Sequence, residues 1–178
     1  MATGVTCNTG TRLIKGPGVV YANYSAEYGT GTLLGATRGG NDFNPGITLR
    51  DVEVDGVLGK VKGLVRKERV EPTLTVRLLE VTADNLVMAL AGAVNDGSSI
   101  TGAAISDESY IDNITLVAEN NDGQEIAYMV KNALATSINA IAHPDNGEAV
   151  LEVTFTGHFD CSSLDEEPWE IIPLTEGS

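Results

Sequence analysis

The residues of the chain most able to do chemistry are Cys7, Cys161, His143 and His158. The two thiols sit near opposite ends of the 178 residues, and two thiols cannot enclose a zinc ion without histidine help. They read as free thiols of a reducing compartment. Ser162-Ser163-Leu164-Asp165 follows His158 closely, but nothing in that spacing defines a nucleophile, base and orienter. His143 precedes Pro144 near a turn, and the pair Glu166-Glu167 lies on a Pro-broken tail that holds no fixed separation. Gly29-Thr30-Gly31-Thr32-Leu33-Leu34-Gly35 has the composition of a phosphate loop. It lacks a following helix N-terminus, because Arg38-Gly39-Gly40 and Pro45 come next. Asn120-Asn121-Asp122-Gly123-Gln124-Glu125 lacks the full calcium-loop ligand pattern and reads as a hairpin turn. The expectation is a non-enzymatic chain with no catalytic, cofactor-binding or metal-binding residues. The sequons at Asn23 and Asn113 matter only in a secreted eukaryotic protein, which nothing in the sequence suggests.

Charge carries more information. The chain holds 25 acidic and 11 basic residues, a net charge of −14. Such a surface repels a nucleic-acid backbone rather than gripping it. Residues 1–77 contain ten basic and seven acidic residues, a net of +3, whereas 78–178 contain one basic residue, Lys131, and eighteen acidic ones, a net of −17. Five cations cluster at Lys60, Lys62, Arg66, Lys67 and Arg69. One reading is a solvated basic hairpin on an acidic protein. The other is self-complementarity, in which the basic segment of one copy meets the acidic surface of the next, a contact that builds rings or filaments.

The elements that would position these charges are mostly strands. Hydrophobic content of 42 % and 20 % charged residues suit a globular chain long enough for one core. No stretch approaches the ~18 apolar residues of a membrane helix, and the N-terminus lacks a signal-peptide pattern. Residues 1–18 read as an extended arm ending at Gly16-Pro17-Gly18. Short strands are predicted at 19–21 and 33–37, with a loop over 38–46. Residues 47–54 predict a strand with a bulge near Arg50-Asp51, and 56–71 a long basic loop or hairpin. Residues 74–81 predict a strand. Thr82 then reads as the N-cap of a helix over 83–91, with an apolar face at 83, 86, 87, 90 and 91 and Gly92 as C-cap. A loop over 95–110 leads to a hairpin of 112–118 and 125–130. Ala133–Ala142 fits helix and strand equally. Residues 149–159 predict the longest strand, with Leu151, Val153 and Phe155 inward, before an acidic tail at 161–178. The expected fold is mainly β with one flanking α-helix, a β-sandwich or partial barrel in a single domain.

Several stretches resemble the major tail proteins of long-tailed, non-contractile bacteriophages. They are Thr32-Leu33-Leu34-Gly35-Ala36-Thr37-Arg38-Gly39-Gly40-Asn41-Asp42-Phe43, Thr48–Gly59 with Lys62-Gly63-Leu64, Glu71–Val76 with the join at Leu79-Glu80-Val81-Thr82, and Glu148–Asp160. No single stretch is diagnostic; their order and spacing across 32–160 carry the resemblance. It implies a tail tube subunit of the virion, assembled in the host bacterial cytoplasm. Six copies would form a ring, and rings would stack into a hollow tube through which double-stranded DNA slides without sticking. Implied partners are further copies of the chain and the tape-measure, tail-tip and terminator proteins, with no membrane. Candidate contacts between subunits or rings are Lys60, Lys62, Arg66, Lys67, Arg69, Arg38, Asp42 and Phe43. Alternatives are a ring-forming tube protein of a secretion or contractile injection system, a monomeric β-sandwich binding module, and an enzyme with an unrecognised site.

Overall fold

A computed structural model describes Thr6 and residues 9–142 and 145–173. In chain order the elements are a helical turn α1 (Thr9–Arg12), β1 (Ile14–Ser25), β2 (Thr30–Leu33), β3 (Asp42–Asn44), β4 (Ile47–Asp51), β5 (Val65–Val70) and β6 (Thr73–Leu78). Then come α2 (Ala83–Ala89), β7 (Ala93–Asn95), β8 (Ile100–Gly102), a 3-10 turn (Asp107–Ser109), β9 (Ile111–Asn120), β10 (Glu125–Ala142), β11 (Val150–Gly157) and β12 (Trp169–Pro173). The protein is mainly β, with one large antiparallel sheet and one flanking helix, a β-sandwich-like fold.

The large sheet has the order β2-β1-β9-β10-β11-β6-β3, with β12 also paired to β10. Strict alternation builds its inner face. In β6, Leu74, Val76 and Leu78 are buried while Thr73, Thr75 and Arg77 point outward. In β11, Leu151, Val153 and Phe155 are buried opposite Glu152, Thr154 and Thr156, as the sequence predicts. Residues of β1, β9, β10, β11 and β6 share one core cluster, so the sheet curls until its two ends face each other. Segment 30–38 spans the gap. Thr32 and Leu33 pair with β1, the Leu34 N–H donates to Val20, and Arg38 N–H donates to the Arg77 carbonyl at 2.9 Å. A chain that pairs with both ends of a curled sheet removes two open edges at once.

The helix has the N-cap read from the sequence: the Thr82 hydroxyl accepts from the Asn85 N–H at 3.2 Å, and Asp84 lies in the first turn. Its buried positions differ from the predicted face. Asn85 and Ala89 are the buried ones, whereas Ala83 and Ala91 are exposed. The cause is the Asn85 amide, which donates to the carbonyls of Leu34 and Glu80, both at 2.8 Å. The helix is docked on the barrel-closing segment through a satisfied polar group, which apolar periodicity does not reveal. The helix ends with Leu90 as its C-cap; Gly92, read as the cap, stands two residues beyond.

Other expectations are corrected. Residues 14–18, assigned to the arm, belong to β1. Gly16 and Gly18 have positive φ and fall in a bulge between Lys15 and Val19, so the breaker is absorbed inside a strand that pairs with β9 on both sides of it. The second strand ends at Leu33 instead of running over 33–37. Strand β3 lies inside the segment read as the loop 38–46 and β5 inside the loop or hairpin 56–71, and the bulge expected in β4 is instead on β5, where Glu68 is the extra residue opposite Thr48–Leu49. The segment read as the 95–110 loop contains β8, which pairs with β7 just before it as a hairpin. Ala133–Ala142 is strand. It continues β10, which at eighteen residues exceeds β11 as the longest strand. Asn132 sits at φ 45°, a left-handed kink where β10 passes from β9 and β12 to β11. The acidic tail is not wholly irregular, because β12 pairs with Ile126–Val130 of β10 and Lys131 meets Glu170 at 2.8 Å. Cys7 and His143 lie outside the described residues.

Candidate assembly surface

The strands β4 and β5 pair only with each other and form a sheet separate from the barrel. Their relation to the barrel follows from register. Asn44 pairs with Thr73 in the β3–β6 ladder, and Ile47 pairs with Val70 in the β4–β5 ladder. The two ladders are therefore in one register, a single long hairpin interrupted where Pro45-Gly46 faces Glu71-Pro72. Neither proline has an N–H to donate, so the ladder breaks there. What joins the halves is the Glu71 N–H donating to the Gly46 carbonyl at 3.0 Å. Gly46 has φ 60°, and a Cβ on it would lie 1.8 Å from the Glu71 carbonyl oxygen, so this neck is built for glycine.

Beyond the neck the hairpin is an arm with no core of its own. Ile47–Arg50 and Val65–Arg69 are exposed on both faces, unlike the alternating strands of the barrel. Apolar side chains nonetheless continue along it. Leu49 is 61 % exposed and Leu58, at the apex loop, is fully exposed. A loop over 52–64 joins the strands, closed at its base by the Val52 N–H donating to the Leu64 carbonyl at 2.8 Å.

The arm gathers five of the eight predicted contact residues. Lys60 binds Asp51 at 2.6 Å, which raises the affinity of its ammonium for the proton, chiefly through that hydrogen bond. Arg69 pairs with Glu71 at 2.9 Å, and Arg66 reaches the Gly63 carbonyl at 3.5 Å. Lys67 binds Glu167, tying β5 to the segment before β12; this bond holds the Glu167 carboxyl below its ordinary range. Lys62 has no ion-pair partner among the described residues.

The other three predicted residues lie on the barrel. Phe43 is half-buried against the core, its ring 5.5 Å from that of Tyr128, so it anchors β3. Asp42 shares Arg77 with Glu152, at 2.8 and 2.6 Å, and Arg38 pairs with Glu148. Arg77 is thus matched by two carboxylates on the outer face of β6 and β11. Beside it Thr75 meets Thr154 at 3.0 Å and Thr136 meets Thr156 at 2.7 Å. This face is polar, hydrogen-bonded and charge-compensated.

Several of the described residues weighed for chemistry make local contacts. The His158 ring lies edge-on to Tyr110 at 5.1 Å, and its Nδ1 is 3.2 Å from the Asn132 carbonyl. Ser162 donates its hydroxyl to Asp160 at 2.7 Å; the bonds from Ser162, led by its backbone N–H, lower the proton affinity of Asp160. The Asn120 side chain accepts from the N–H groups of Asp122 and Gln124, both at 2.9 Å, which is the hairpin turn read from the sequence. The Asn113 amide brackets Tyr24, accepting from its N–H at 2.8 Å and donating to its carbonyl at 3.2 Å. Among the described residues no three His, Cys, Asp or Glu side chains are grouped to hold a metal ion, and no helix is long and apolar enough to cross a membrane. Compared with known proteins, the chain matches no family model and no curated sequence.

Proposed function

We propose that the chain is a structural subunit that assembles with copies of itself, six to a ring, into the stacked rings of a hollow phage tail tube. One observation carries the reading. The β4–β5 arm holds Leu49, Leu58 and neighbouring valines in water, outside any core of its own chain. An apolar arm on a folded barrel gains stability only by burial against another surface. The charge split supports the same reading: the arm is rich in cations, while the charged residues from 78 onward are eighteen acids and one lysine. A contact between two different patches is heterologous, and such contacts repeat from copy to copy into rings or stacks. The resemblance to major tail proteins supplies the biological setting: a virion tube with tape-measure, tail-tip and terminator partners, carrying double-stranded DNA. A net negative protein suits that passage, because a polyanion slides where it is not attracted.

Negative-stain electron microscopy of the purified chain across concentration and salt tests the proposal. Hollow striated tubes that disappear as salt rises are expected, since screening weakens contacts between exposed charges. Discrete rings would favour a secretion-type ring protein. Monomers that persist when an initiating tail complex is supplied would return the chain to the binding-module class.

A further inference from the structure

We infer that one face of the arm is a carboxylate seat, in which Arg50 and Arg66, directly opposed, hold an acidic side chain of a second copy between them. This rests on the self-assembly reading and names one of its contacts.

The arm has two unlike faces once its register is followed. Directly opposed residues of an antiparallel pair project from the same face. Ile47 opposes Val70, Leu49 opposes Lys67 and Asp51 opposes Val65, so the apolar side chains share one face. Thr48 opposes Arg69 and Arg50 opposes Arg66, so three guanidinium groups share the other. All three arginines are exposed. Lys67, whose bond to Glu167 ties the arm back to its own chain, is on the apolar face.

Like charges directly opposite each other destabilise a β pair. The chain does not compensate this one. Among the described residues, Arg66 reaches only the Gly63 carbonyl, at 3.5 Å, and Glu68 stands 3.8 Å from Arg50, outside hydrogen-bond distance. Arg69, beside them, is matched by Glu71 at 2.9 Å, and Arg77 on the barrel by two carboxylates at 2.8 and 2.6 Å. The opposed pair is therefore the exception among the strand arginines. A guanidinium fork matches a carboxylate with parallel charge-assisted hydrogen bonds. A carboxylate entering between Arg50 and Arg66 adds such bonds and removes a repulsion.

The chain itself supplies the carboxylates. Residues 78–178 hold eighteen acids. Among the described residues only Glu148, Glu152, Glu167 and Glu170 of these have an ion-pair partner. A phosphate polymer offers similar oxygens, but the net charge of −14 repels it before it reaches the arm. The arginine face and the acidic surface are different patches, so the contact runs head to tail.

The test measures the critical concentration for assembly of the full-length chain by sedimentation, with amide exchange of the monomer as a second readout. Arg66→Glu turns the opposed pair into one of opposite charge. It should slow exchange in β4 and β5 of the monomer, yet raise the critical concentration by about tenfold, the factor one charge-assisted hydrogen bond supplies. Lys62→Glu makes the same change of charge in the apex loop and should alter assembly by no more than about twofold. Both positions are exposed, so both variants fold. Poly-L-glutamate added to the monomer should shift the arm amides of the wild type, and of Arg66→Glu far less. Normal assembly of Arg66→Glu, or equal loss in Lys62→Glu, would overturn the seat and leave self-assembly standing. Tighter binding of inorganic polyphosphate than of poly-L-glutamate would overturn the carboxylate as ligand. A wild-type chain that binds poly-L-glutamate on the arm but stays monomeric under every condition would overturn the second copy as its source, together with the self-assembly reading.

Discussion

The β4–β5 arm and the β6–β11 pair are both antiparallel ladders of five or six residue pairs, and they stand in opposite relation to water. In β6 and β11 every second side chain is buried to within about 1 % of complete. The outward ones are matched as well: threonine to threonine, and Arg77 to two carboxylates. In the arm both faces are exposed, and valine and leucine remain among the cations. Strands β6 and β11 have buried their apolar side chains within the chain; the arm has not. The arm and β6 are parts of one hairpin split by opposed prolines, so under the proposed function a single supersecondary unit would serve folding at one end and association at the other.

That contrast breaks if the arm contributes to folding or the barrel to association. The largest expected effect is on assembly. Charge reversal of Lys60, Lys62 and Arg66 to Glu should abolish tubes seen by electron microscopy while leaving the thermal midpoint of the monomer within a degree or two of wild type, since the charges are on exposed side chains. A fall in the midpoint would make the arm part of the folding unit.

Next is the barrel core. Phe155→Ala removes a ring that is 1 % exposed and should cost about 3–5 kcal/mol of unfolding free energy in a denaturant titration. Leu58→Ala should cost less than about 0.5 kcal/mol in the same titration. Equal costs would erase the distinction between the regions.

Asn85→Ala sharpens the comparison at the barrel's flank. It leaves the buried Leu34 carbonyl and the Glu80 carbonyl without their amide donor and should cost about 1–3 kcal/mol. Amide exchange should accelerate in α2 and segment 30–38, and it should be unchanged in the arm.

The smallest effect concerns the tether between arm and barrel. Glu167 binds Lys67 and also accepts the indole N–H of Trp169, the one tryptophan of the chain, at 2.9 Å. Its carboxyl is held below its ordinary value of 4.5, chiefly by the Lys67 hydrogen bond. The folded value lies below the unfolded one, so the tether's contribution is present above that ordinary value. It is lost as pH falls through the lower, folded value. The Trp169 indole resonance should therefore shift with a midpoint below 4.5, and Lys67→Met should move that midpoint upward. An unmoved midpoint would show that the arm is not held by this bond.

How far the fold was legible depended on whether a local pattern had a single structural meaning. Leu74-Thr75-Val76-Arg77-Leu78 and Leu151–Thr156 alternate strictly, so the residue period dictated both strand and face. Thr82 followed by Asp84 marked a helix start for local reasons, and the cap bond is there. Ala133–Ala142 suits two periods, and only the pairing of β10 with β11 decides for strand. The arm was legible as a cluster of five cations, because charge is read directly from composition. Its apolar component was not, since Leu49 and Leu58 look like core residues until their exposure is known. Asp42 and Phe43 were read as loop residues for the converse reason: a loop-like setting of glycine and asparagine hid a three-residue strand stitched to β6.

By itself the sequence determined the β-rich class, the inward faces of β6 and β11, the helix start at Thr82 and the split of basic arm from acidic remainder. Each of these depends on neighbours within a few residues or on counting charges. Only the tertiary structure decided that Pro45 faces Pro72, that segment 30–38 closes the curled sheet, that Asn85 holds the helix to it, and that residues 169–173 become a strand on β10. Those features join residues far apart in the chain. Their free energy comes from burial and hydrogen bonds formed only after both partners are in place, which no local pattern records.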